Sequence, residues 1–323
     1  MADRFGYLNQ FSPVDAAAIS EGLFPSGSST KTFDDCMMSR AESLAQQASE
    51  VVVMWSGGCD STAVVSAFLD VLSDHKRLTI LYTQSSIEEN PDFHELLRRT
   101  DVNLELVPAN QLFPIGFRYA QEGRLVITGF PADQLFGSIV GQNFPGDTTK
   151  THWAEYYHSD LVNQQYEAAF SYYGIPIKTV AELLWFNNFA LKWDMMAHVM
   201  LMMIQRHHDN VVPFYMIYDF EDWSVSNFDV LHKYDQKNAV NYKVQMKDFI
   251  YKKTKLSSVY SLRKQPSIIN AFIRDNQSVI AGYVSIAALD DAGVVTRVGK
   301  KPRVVADDIG LCSATILRKY LKK

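Results

Sequence analysis

Cysteine is scarce in this chain: Cys36, Cys59 and Cys312 are the three it has, and they stand far apart. That excludes paired zinc ligands and a disulfide-stapled scaffold, and an odd, sparse count predicts free thiols in a reducing compartment. Long apolar runs are missing too. The longest, 195–204, is interrupted by His198 and is too short to span a bilayer. The opening residues Met1, Ala2, Asp3 and Arg4 lead into no apolar stretch, so no signal peptide is expected. Nor is there an excess of positive charge. Lys and Arg number 31 against 36 Asp and Glu, a net charge of -5, and this balance has no general attraction for nucleic acid. The expectation is a cytoplasmic protein without a membrane partner.

One region departs from that balance. From Arg297 to Lys323 the basic residues outnumber Asp307 and Asp308 heavily. Such a tail can meet phosphates, and a solvated helix end can look the same.

What the chain does have is an ordinary globular composition, with 47% apolar residues over 323 positions, enough for one large domain or two packed ones. Residues 1–34 read as an irregular arm, and Asp34 or Asp35 can cap a helix running to about Ser49. The pattern then alternates over 35–150. Val51–Trp55 suits a buried strand, and Ser61–Leu72 has helical spacing. Leu78–Thr83 and Val102–Val107 read as further strands, with a helix over Asp92–Thr100 between them. A short helix around Phe117–Glu122 precedes a fourth strand, Leu125–Thr128. Strands alternating with helices predict βαβ units and a parallel sheet; the right-handed crossover rule limits how the helices can cover it, and a doubly wound arrangement fits. From about Pro131 helical segments take over, roughly 153–172, 178–206 and 240–253, so 151–323 reads as a mainly helical region. A hairpin within 279–305 and a terminal helix over 307–321 complete the expectation.

Neither G-x-x-x-x-G-K-[ST] nor G-x-G-x-x-G occurs, which disfavours the usual NTPase and dinucleotide loops. In their place, Ser56-Gly57-Gly58-Cys59-Asp60-Ser61 stands between the first strand and the first helix of the sheet region. Paired glycines let backbone approach an anion, and the helix start offers unpaired N–H groups and the positive dipole end. Ser56 and Ser61 add hydroxyls. Asp60 would repel phosphate unless a cation stood between them, which points to Mg2+.

This hexapeptide resembles the PP-loop of the N-type ATP pyrophosphatases, whose loop holds the pyrophosphate portion of ATP. The resemblance implies an adenine nucleotide alpha hydrolase-like fold with ATP and Mg2+ bound. A second segment, Thr128-Gly129-Phe130-Pro131-Ala132-Asp133-Gln134-Leu135-Phe136-Gly137, is similar to the G-E-G-A-D-E-L-F-G-G signature of the asparagine synthetase synthetase domain. It implies that Asp133 shares Mg2+ with Asp60 and that Gly129 lies against the nucleotide. Val211-Val212-Pro213-Phe214 resembles A-R-V-P-F-L-D. Lys247-Asp-Phe-Ile250 resembles K-x-x-L-R, and Ser261-Leu-Arg263-Lys264-Gln265 resembles R-x-K-E-Q. By the same resemblance Lys247 and Lys264, or Arg263 beside it, face the phosphates and the forming oxyanion, while Leu81 and Tyr82 offer backbone to the adenine.

The expected activity is carboxylate adenylation with release of pyrophosphate, followed by acyl transfer to ammonia or an amine. Two departures qualify the substrate. Relatives that make asparagine from glutamine carry a glutaminase domain with a cysteine after the initiator methionine. Ala2 stands there, so free ammonia, another amine or a separate glutaminase is expected to serve. The family's glutamate falls on Phe130, which favours a larger or more apolar partner, or a chain without turnover. The alternatives are a nucleobase- or tRNA-modifying PP-loop enzyme and a nucleotide-binding subunit without turnover. A homo-oligomer is compatible with all of them. His198, His207 and His208 read as surface or capping residues, the methionines of 195–203 as core, and Cys59 as having no chemical role. Glu88, Glu89, Asp92 and His94 can cap the second helix or reach the nucleotide, with capping the default reading.

Overall fold

Val51-Val-Val-Met-Trp55 offers no polar side chain to water, and it forms the fully buried central strand β1 (Val51–Trp55) of a five-stranded sheet. In the computed structural model of the protein the described residues are 27–136, 146–156, 160–173, 176–192, 210–227, 242–262, 286–289 and 295–298. The chain divides into two compact units, one made of Pro25–Phe136 with Met200–Phe272, the other of Met1–Phe24, Gly137–Val199 and Ile273–Lys323.

The first unit opens with α1 (Phe33–Gln47), followed by β1 and α2 (Cys59–Val71). Next come β2 (Leu78–Tyr82), α3 (Gln84–Glu89), α4 (Pro91–Arg98) and β3 (Asn103–Leu106). Then α5 (Leu112–Gln121) leads into β4 (Leu125–Thr128), and β5 (Val211–Pro213), α6 (Tyr218–Ser226) and α7 (Val244–Thr254) complete the unit. The strands lie in the order β3-β2-β1-β4-β5, and every neighbouring pair is parallel. Alternation along β1 sends Val52 and Met54 to a core shared with Leu81, Val126 and Leu112 beneath α5. Trp55 faces the other way, where its indole N–H donates to Thr62 Oγ1 of α2 at 3.0 Å and its ring meets Phe93 of α4. Helices therefore cover both faces, and the fold is α/β.

The start of α1 corrects the expected cap. Thr32 is the N-cap, accepting from Asp35 N–H, while the Asp35 carboxylate accepts from Thr32 N–H. This reciprocal capping box satisfies two orphan donors, where Asp34 or Asp35 as cap would satisfy one. Likewise Asn90 caps α4, accepting from Phe93 N–H, with Pro91 in the first turn. Of the residues expected to cap there, His94 instead lays its ring parallel to that of Trp55. The fifth strand is absent from the sequence reading, which carries 211–214 only as a motif; three residues are too few to show a period. The helix expected at 117–122 is longer, Leu112–Gln121.

α1 also buries Cys36, which is 0% exposed, and burial pushes its thiol from 9.0 up to about 12. An unfolded thiol ionises near 9, so between pH 9 and 12 the folded state holds the extra proton and stability falls as pH rises. The expected slope is about 1.4 kcal/mol per pH unit. Urea titrations at pH 8.5 and 10.5 should show that loss in the parent chain and a smaller one in Cys36→Ala.

The second unit is organised by aromatic rings. Trp153 meets Phe170 edge-on at 5.1 Å, and Phe170 meets Phe186 at 4.9 Å. These rings come from a 3-10 turn and from helices Asp160–Tyr173 and Val180–Phe186, the last begun by a Thr179–Glu182 capping box. Strands Ile286–Leu289 and Val295–Val298 pair antiparallel inside the expected hairpin span. The proposed terminal helix 307–321, the arm 1–26, His198, His207, His208 and the methionines of 195–203 lie outside the described residues. Among the described residues, no helix is long and apolar enough to cross a membrane.

Candidate functional site

The turn out of β1 is built for close approach. Gly57 has φ +87, a conformation costly for any residue with a Cβ, and Gly58 is the N-cap of α2 without a side chain of its own to cap it. The loop holds itself in shape through its hydroxyls. Ser61 Oγ accepts from Ser56 N–H at 3.0 Å and lies 3.0 Å from Ser56 Oγ, and it donates to the Gly58 carbonyl. Thr62 Oγ1 donates to the Gly57 carbonyl at 3.4 Å. Ser56 and Ser61, expected as phosphate donors, thus also tie the loop to the first turn of α2. α3 closes over the glycines, its Ser86 hydroxyl donating to the Trp55 carbonyl at 2.9 Å. Glu89 lies beside the loop: a Cβ on Gly58 would lie 3.2 Å from its Oε1.

Across the sheet, β4 delivers the second motif to the same place. Gly129 runs so close to α2 that a Cβ there would lie 2.9 Å from Ser61 N. The chain then enters a 3-10 turn, Ala132–Phe136, that carries Asp133. Asp60 and Asp133, far apart in sequence, both bond the same ammonium nitrogen, that of Lys243. Lys243 is 6% exposed on its side chain, Asp60 26% and Asp133 19%, so the triad is largely withdrawn from water. Burial works against the ammonium charge, yet the Asp133 and Asp60 carboxylates outweigh it and hold Lys243 well above the usual lysine range. Two tyrosines support the acids. Tyr215 O–H donates to the Asp60 carbonyl at 2.9 Å, and Tyr242 O–H donates to Asp133 Oδ1 at 3.3 Å. Burial, followed by Asp60 for Tyr215 and Asp133 for Tyr242, pushes both phenols well above their ordinary value.

Lys243 is the residue that sequence reasoning missed, and the signal was present. Lys243-Val-Gln-Met246-Lys247 reads K-x-x-apolar-basic one turn before the segment taken for K-x-x-L-R. In the structure the lysine that meets the two carboxylates is Lys243. Lys247 follows one turn later on α7, 2% exposed, and burial lowers its ammonium below the usual range. Lys243 also begins α7 with φ 58, the left-handed region where Gly and Asn are cheap and Lys is not.

The remaining expected residues divide. Leu81 and Tyr82 are buried at the carboxyl end of β2, and the Tyr82 carbonyl accepts from Val107 N–H at 2.8 Å. Phe130 packs against the apolar cluster under α5. Burial raises the Cys59 thiol to about 11. Arg263 and Lys264 lie outside the described residues.

The acid pair suits Mg2+. That ion commonly takes one or two carboxylates and completes its shell with phosphate and water. Two carboxylates already turned onto one cationic point, beside the amide-rich start of α2, are such a donor set. Among the described residues no group of three or more His, Cys, Asp and Glu is placed to hold a metal ion. No protein-family model matches the chain, and comparison with curated proteins finds no significant relative.

Proposed function

We propose that this chain is an ATP pyrophosphatase-type carbon–nitrogen ligase, asparagine synthetase-like, that adenylates a carboxylate and passes the acyl group to ammonia or an amine. The observation that carries the reading is the meeting of Asp60 and Asp133 on one cationic point at the N-terminus of α2. The strand order, which reverses between β1 and β4, supports the doubly wound, adenine nucleotide alpha hydrolase-like class, since ligands of such sheets bind where the order reverses.

In this reading the loop amides of 57–61 and the α2 dipole hold the β- and γ-phosphates. Asp60 and Asp133 hold Mg2+, which neutralises phosphate charge when bound. Lys243 and Lys247 meet the pyrophosphate. A substrate carboxylate oxygen bonds the α-phosphorus as the bond to pyrophosphate breaks, leaving an acyl-adenylate. The amine nitrogen then bonds the acyl carbon, a proton is lost, and AMP leaves. Arg263 or Lys264 is assigned the oxyanion of that step by resemblance alone. A nucleotide-binding subunit without turnover is the second reading. It draws on Phe130, which packs against the core where the resembling family has a glutamate.

The test is to incubate the protein with Mg2+, labelled ATP and pools of carboxylic acids, with and without ammonium, and to separate AMP from ADP. Acid-dependent AMP and pyrophosphate are expected. Asp60→Ala or Asp133→Ala should lower the rate at least about 10²–10³-fold, the usual loss when one group that stabilises transition-state charge is removed. ADP and phosphate would sink the mechanism, and ATP binding with no product would favour the subunit.

A further inference from the structure

The Lys243 ammonium already sits on one oxygen of each carboxylate that would hold a divalent ion. It bonds Asp60 Oδ1 and Asp133 Oδ1 at once. Such charge-assisted bonds are strong, and an ammonium and a metal ion cannot share the same lone pairs. If a divalent ion took both carboxylates alone, Lys243 would be left 6% exposed beside a double positive charge. Lys247, 2% exposed one turn along α7, is a second buried ammonium, lowered below the usual range by burial and then by the Lys243 charge. A polyphosphate changes this balance, because its oxygens give both ammonium groups new partners at the moment the carboxylates are released.

The backbone makes the same point independently. Lys243 stands at φ 58, where a side chain with a Cβ is strained, and the position is not filled by Gly or Asn. The strain is retained together with a side chain whose ammonium meets both acids.

We propose that Lys243 is the resident cation of the Asp60–Asp133 pair and enforces an order of loading: a divalent ion enters this site only together with a polyphosphate, which draws Lys243 off the carboxylates. This rests on the nucleotide-site reading above and adds an exchange of one cation for another. Lys243 here governs the loading of the site, and replacing it alters metal binding even where no turnover takes place. Binding is also reciprocal, so the ion must tighten the polyphosphate by the factor by which the polyphosphate tightens the ion.

The experiment is a Mn2+ titration followed by electron paramagnetic resonance, with and without inorganic pyrophosphate, on the full chain, Lys243→Met and Lys243→Gly. Lys243→Gly relieves the left-handed backbone, so it guards against a variant lost to misfolding. The parent chain is expected to bind Mn2+ about tenfold or more tighter with pyrophosphate, within the usual range of site coupling. Both variants are expected to bind Mn2+ by itself about tenfold tighter than the parent, and Mn2+ should raise their melting temperatures more than the parent's. Variants that bind Mn2+ alone no tighter than the parent overturn the exchange while leaving the nucleotide site standing. If no form of the protein binds Mn2+ or Mn2+–pyrophosphate, the nucleotide reading itself fails and the exchange with it.

Discussion

Gly57→Ala is expected to destabilise the sheet unit by about 2–5 kcal/mol, a large part of the total stability of an ordinary domain. Two terms add. At φ +87 an alanine adopts left-handed backbone, at about 1–2 kcal/mol. Its Cβ would also lie 2.5 Å from the Ser86 carbonyl oxygen and 2.9 Å from Glu89 Cβ. Forcing atoms into a packed site costs about 1–3 kcal/mol. Gly123 provides the control. It has φ +86, and a Cβ there would meet nothing within 4 Å. Gly123→Ala should therefore show the backbone term alone, and the difference between the two urea midpoints measures the overlap. Equal losses would mean that α3 moves freely off the loop. Gly57→Ala should also weaken pyrophosphate binding, because relief of the overlap pushes apart the amides that form the cradle.

The second large effect concerns the buried triad. Asp60→Asn with Asp133→Asn keeps the side-chain shapes but removes both charges that Lys243 meets. Removing the partners of a buried charge costs about 3–5 kcal/mol. The partial exposure of Asp60 (26%) and Asp133 (19%) places the expectation near the lower end, about 3 kcal/mol. Adding Lys243→Met to the doubly substituted chain should recover most of that loss, since no charge then stays buried. A triple variant as unstable as the double one would show that the carboxylates act through contacts other than Lys243. Chemical denaturation of the parent, Lys243→Met, the double variant and the triple variant settles it, read as a coupling energy.

The sheet was legible because its strands leave little choice. The run Val51–Trp55 and the segments Leu78–Tyr82 and Leu125–Thr128 are buried throughout, and apolar runs of that length between turn signals read as parallel strands. Asp60 and Asp133 were legible for another reason. Each directly follows a parallel strand, and parallel strands deliver their carboxyl ends to one edge. Lys243 was not legible on those terms. It precedes a helix, and no periodicity tells which turn of a lysine-containing helix faces a site 110 residues away in sequence. Only the alternative register of its motif carried that information. β5 escaped notice because three residues show no alternation, and its place beside β4 is set by pairing, with Val126 opposite Val211. The N-caps Thr32 and Asn90 were misassigned because several capping residue types stood together, and geometry chose among them.

The division of the sheet unit has a bearing on how the chain is made. Of that unit, residues 25–136 leave the ribosome before 200–272, which follow only after an intervening stretch that belongs to the other unit. Asp60 and its partner Lys243 are separated by 183 residues. During synthesis the loop and both carboxylates therefore exist for some time without their ammonium, and the strand next to β4 arrives late. Contacts this distant in sequence close slowly. A nascent or truncated chain ending before β5, and so before Lys243, would display two adjacent acids at the end of a four-stranded sheet. Such a species would be open to chaperones and proteases until α7 is in place.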